Sequence, residues 1–93
     1  MPRYDVAHVK EQGIDLIIIP LHSSFGRQTR EDQNEAIAEL QMHANAAGLA
    51  GTVIPVWEDG SRMTFIAPTQ WHPFFSSIKR KWLAKNLNRW ISW

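Results

Sequence analysis

Ile14-Asp15-Leu16-Ile17-Ile18-Ile19-Pro20-Leu21 is the stretch on which the fold of this 93-residue chain turns. Its three consecutive isoleucines are β-branched, and apolar residues stand at both parities. A strand with one wet face alternates, whereas a strand apolar on both faces is a central strand covered on both sides. Pro20 has no N–H to give to a ladder, so regular pairing should end there.

Upstream, Tyr4 to Val9 alternates loosely and reads as a short strand, with Lys10-Glu11-Gln12-Gly13 as a polar turn. A first hairpin of roughly 3–9 with 14–20 follows. The alternative is a short helical turn over 5–12.

Downstream, His22 to Gln28 is a loop broken by Ser23, Ser24 and Gly26. Thr29 then reads as a helix N-cap, with Asp32 three residues later and Glu31 beside it at the positive helix end. The helix is expected to run to about Ala47. Its buried side gathers Gln33, Ala36, Ile37, Leu40, Ala44 and Ala47, and Glu31, Glu35 and Glu39 lie opposite at i, i+4 spacing. Gly48 suits the C′ position, and Leu49 can supply the apolar contact of a Schellman ending.

Thr52 to Trp57 is a strand by composition, and Pro55 inside it predicts an edge position or a bulge. Asp59-Gly60 marks a tight hairpin turn, and Arg62 to Ala67 returns as a strand that Pro68 stops. Pro73 is placed to start a second helix reaching Lys85 or Leu87. On that helix Phe74, Phe75, Ile78 and Trp82 share one sector, while Leu83, Leu87, Trp90 and Ile91 share another. The helix must therefore end near Asn86 or Asn88, or its second face must meet another surface. Arg89 to Trp93 can add a short C-terminal strand.

The expected architecture is a single α+β domain over 1–93. It has a small antiparallel or mixed sheet of three to four strands, with two helices packed on one face, in the order β(β)αββα. An apolar content of 44% and a charged content of 20% fit a globular chain. The chain has no cysteine, so disulfides, thiolate metal sites and cysteine nucleophiles are excluded. Met1 to Asp5 shows no signal-peptide pattern and no apolar run is long enough to span a bilayer, so the expected compartment is the cytoplasm.

Charge is segregated along the chain. Residues 1–59 carry four basic and nine acidic side chains, a net −5, and residues 60–93 carry six basic and none acidic, a net +6. The stretch from Thr69 to Trp93 also holds four of the five tryptophans. Compensation within one molecule, pairing between copies, or a basic face for an acidic partner would each follow from this pattern.

No motif points to catalysis. The Leu21–Thr29 loop leads into a helix N-terminus, but its single Gly26 matches neither a P-loop nor a dinucleotide fingerprint. His8, His22, His43 and His72 lack a ligand spacing, and no metal or cofactor is expected. His43 reads as a surface residue. His22 beside Ser23 and Ser24, with Asp15 on the same strand, is the one seed of a small hydrolase-like site. Trp57 and Phe65 could form an aromatic platform for bases, although core packing suits them better.

The domain is therefore expected to work by binding. The partner-binding residues are Lys81, Leu83, Lys85, Leu87, Arg89, Trp90, Ile91 and Trp93. The first reading is a protein-interaction module that self-associates as a homodimer through this Trp-rich basic segment. The alternative is nucleic-acid binding through the Lys, Arg and Trp residues of 79–93. A membrane-surface contact suits the composition but is not expected. A further reading needs no partner: the tail folds back and completes the core.

Overall fold

The computed structural model describes residues 3–93. Strands β1 (Arg3–Glu11) and β2 (Ile14–Pro20) form the expected antiparallel hairpin, so the helical alternative for 5–12 is discarded. A 3-10 turn over Ser23–Arg27 leads to helix α1 (Arg30–Ala46), and β3 (Thr52–Asp59) then runs parallel to β2. A tight turn returns β4 (Arg62–Phe65) antiparallel to β3. The last third folds into α2 (His72–Ser77), α3 (Arg80–Asn86) and β5 (Arg89–Ser92). β5 pairs antiparallel with β1, giving a five-stranded mixed sheet in the order β4-β3-β2-β1-β5.

The α+β class holds, and three details of the expected architecture are corrected. The sheet has five strands rather than three to four, because the C-terminal strand forms. Among the described residues three α-helices are present rather than two. The helices also cover both faces of the sheet. Ile17, Ile19 and Val53 pack with Leu40 and Ala44 of α1, whereas Leu16, Ile18 and Ile54 pack with Phe75 of α2 and Leu83 of α3. Leu16, Ile17, Ile18 and Ile19 are all fully buried, so the central strand has no wet face. Burying one such side chain contributes about 1.5–3 kcal/mol, and β2 can collect that on both sides only if a layer covers each.

Pro55 was expected at an edge or a bulge, yet β3 pairs on both sides. The Pro55 carbonyl accepts from Ile66 N at 3.2 Å, so its backbone polar groups turn toward β4. The β4 ladder ends at Phe65, one residue earlier than the point where a Pro55 N–H would be needed. The missing donor therefore costs nothing in the long β2–β3 ladder.

The single C-terminal helix is broken in two. Ser77 Oγ donates to the Phe74 carbonyl at 2.7 Å, competing with the helix's own bonds, and Ile78 and Lys79 are extended. In an unbroken helix Leu83 would point about 80° away from Phe75. The break lets both face the sheet, Phe75 at 2% and Leu83 at 5% exposure.

Candidate interaction surface

The eight residues singled out in the C-terminal segment divide three ways. Leu83 and Ile91 are buried in this chain's own core, on opposite faces of the sheet. Leu87 is half-buried against the α3-side core and Trp93 against the α1-side core. Lys81, Lys85, Arg89 and Trp90 are exposed. For Leu83, Ile91 and Trp93 the tail does fold back and complete the core.

Trp93 is held between two rings. Tyr4 stacks on it at 5.5 Å between centroids, and His43 lies nearly parallel to it at 4.0 Å. His43 is thus a packing residue of the tail rather than a bare surface group. Asn88 fixes where β5 begins. Its side-chain Oδ1 accepts from His8 N at 2.9 Å and its Nδ2 donates to His8 O at 3.0 Å, while its backbone N donates to Val6 O. A side-chain amide here imitates a peptide unit and opens the β1–β5 ladder.

That ladder also fixes what β5 shows to solvent. The polar groups of Val6 and His8 turn toward β5, so Tyr4–Ile91 and Val6–Arg89 are the hydrogen-bonded pairs. Trp90 and Ser92 consequently turn N–H and C=O outward along a free edge. The Trp90 side chain lies on the α3 face of the sheet and is 57% exposed, with the Arg3 guanidinium over its ring at 4.7 Å. Arg89, by the same alternation, lies on the α1 face, and its Nη1 donates to Asn88 O at 2.8 Å.

The two helical layers carry opposite charge. α1 exposes Glu31, Asp32, Glu35 and Glu39, with Arg30 its only cation. The α2–α3 layer exposes Lys79, Arg80, Lys81 and Lys85 and has no carboxylate. Two interlayer spacings of about 10 Å separate the helix axes, and their outward charges lie further apart still. A screening length of about 8 Å in physiological salt leaves little attraction over that distance. Compensation within one molecule is confined to Arg80 with Glu58 at 2.6 Å, Arg3 with Asp5 at 3.8 Å and the weak His43–Glu39 contact at 4.0 Å, among the described residues.

The remaining candidates resolve as packing or caps. His22 Nδ1 receives both Ser24 N at 3.1 Å and Ser24 Oγ at 3.0 Å, which caps the 3-10 turn. Asp15 sits at the other end of β2, about 23 Å along the extended chain from His22, so this strand does not bring the two together. Phe25 of the same loop is buried edge-on to Trp57, and Gln33 Nε2 donates to Phe25 O at 2.9 Å. Trp57 is therefore a core aromatic, and Phe65 packs on Phe75 and His72. A cavity of about 220 Å³ brings Tyr4, His22, Ser24, Glu39 and Trp93 to one place, and an apolar cavity of about 170 Å³ lies between the ends of β2 and β3 and α3. Among the described residues no three His, Asp or Glu side chains are grouped to hold a metal, and no helix is long and apolar enough to cross a membrane.

The feature that sequence reading missed is Met42, 60% exposed on α1. Its signal was present: position 42 falls inside the acidic stripe, on the side a globular helix keeps polar. No protein-family model, curated protein or solved structure matches this chain.

Proposed function

We propose that this domain is a protein-interaction module that self-associates through the exposed part of its C-terminal segment. The contact surface is the α3 side at the β5 edge, where Trp90 lies under Arg3 and across from Asp5, continued by the exposed Lys81 and Lys85 of α3. The observation that carries the reading is Trp90 itself: an indole more than half exposed, on an edge strand whose outer hydrogen-bonding groups are free. Tryptophan and arginine are, with tyrosine, the residue types enriched among those that dominate binding energy. A short edge strand adds main-chain bonds to whatever side-chain contact forms.

Sedimentation velocity across a micromolar concentration series tests this. The chain should show concentration-dependent association, and Trp90→Ala should weaken it by at least about 30-fold, the effect of losing a dominant anchor residue. A sharp monomer at hundreds of micromolar would sink the reading. Removing residues 87–93 is not a usable variant, because it takes Ile91 out of the core.

A second reading, nucleic-acid binding, draws on one feature of the same face. Lys79, Lys81 and Lys85 have no carboxylate within ion-pair distance among the described residues, and they share the face with Trp90. Affinity for oligonucleotides would then fall steeply with salt and vanish in Lys81→Glu/Lys85→Glu. No binding at low salt discards it.

A further inference from the structure

α1 and the α3 side of the sheet each carry a large, more than half-exposed apolar side chain, Met42 on the acidic helix and Trp90 on the side whose helical layer is basic. At 100° per residue, Glu31, Glu35 and Glu39 fall at about 0°, 40° and 80°, and Met42 falls at about 20°, inside the stripe. α1 thus presents a thioether at the C-terminal end of a row of carboxylates, one turn beyond Glu39. The opposite side presents an indole with Arg3 over its ring and Asp5 directly across the ladder, and its helical layer exposes Lys81 and Lys85. These surfaces are complementary in charge and in what they would bury, and a methionine sulfur against an aromatic ring is a favourable contact. Within one molecule they never meet, because the whole sheet stands between them.

We infer that the surface receiving the Trp90 face is the α1 stripe of a second copy of this chain. Trp90 packs on Met42 of the neighbour, and Lys81 and Lys85 oppose its Glu35 and Glu39. The inference rests on the self-association reading and adds the identity of the receiving surface. It also changes the expected stoichiometry. The contact joins two different patches on opposite faces of one sheet, so it cannot close as a two-fold homodimer. It is head-to-tail, and copies build a ring or an open row.

Charge reversal on each face separately, then together, tests this. Lys81→Glu/Lys85→Glu leaves an acidic pair at both contacting patches and Glu35→Lys/Glu39→Lys a basic pair at both, and all four residues are exposed. Each variant alone should sediment as a folded monomer, with circular dichroism matching the parent. An equimolar mixture should recover species larger than a dimer, since the reversed faces match each other and the untouched faces match as before. Adding Trp90→Ala to both variants should abolish the recovery, which separates this contact from bulk attraction between oppositely charged proteins. If Glu35→Lys/Glu39→Lys associates like the parent while Trp90→Ala does not, the α1 stripe is not the receiving surface and the broader reading survives. Loss in both variants without recovery on mixing also overturns the inference. A parent chain that is monomeric throughout defeats both.

Discussion

The two helical layers of this molecule reach their structures by opposite routes. α1 is 17 residues long, and both its ends are specified locally. Thr29 Oγ1 accepts from Asp32 N at 3.1 Å. At the other end Gly48 takes φ +89°, Leu49 N reaches Ala44 O and Gly48 N reaches Asn45 O, each at 3.0 Å, completing a Schellman motif. α2 and α3 are six and seven residues long, and neither has a side-chain bond at its N-terminus. Helices that short are not stable alone in water. Their order comes from Phe75, Trp71 and Leu83 pressed on the sheet. One layer is written in caps, the other in core contacts.

The largest effect should come from breaking the second layer at its anchor. Phe75→Ala removes a fully buried ring against which Phe65 and Phe74 also pack, and should cost about 3–5 kcal/mol. Chemical denaturation measures this. Amide exchange should show α2 and α3 losing protection together before α1 does. Equal loss in α1 would mean that the two layers are not separable units.

A smaller effect tests the first layer. Thr29→Ala removes the N-cap bond of α1 and should cost about 1 kcal/mol, seen as a lower denaturation midpoint at unchanged slope. If the midpoint does not move, α1 too is held by Leu40 and Ala44 rather than by its ends.

The same contrast explains what could be read from the sequence. Thr29, Gly48 and Leu49 announced α1 because caps are local chemistry. The β1–β2 hairpin, the Gly60 turn and the double apolar face of β2 were legible for the same reason. That double face already required cover on both sides, which is incompatible with two helices on one. Whether Ile91 finds β1 depends on a pairing between residues more than eighty positions apart, and only the Asn88 clamp on His8 signals it. The break at Ile78–Lys79 was hidden too, since neither residue is a helix breaker. Of the candidate surface, Trp90 and the lysines were legible by type, while the burial of Leu83 and Ile91 was not. Met42 was legible as a misplaced apolar residue in an acidic stripe.

The smallest effect sharpens the contrast by transplanting one layer's device onto the other. Lys79 is the N-cap residue of α3, already extended at φ −122° and ψ 164°, and its carbonyl accepts the first helical bond from Leu83 N at 3.1 Å. Only an acceptor side chain is missing, and a lysine offers a cation at the positive end of a helix, the wrong sign. Lys79→Asp would supply a carboxylate for the N–H of Lys81 or Trp82 and should stabilise by about 0.5–1 kcal/mol. For a domain of this size that raises the melting temperature by roughly 2–8 °C. Because Lys81, Lys85 and Trp90 are untouched, association should persist. An unchanged melting temperature would show that packing on the sheet alone fixes where α3 begins, leaving no unmet demand at its first turn for a cap to satisfy.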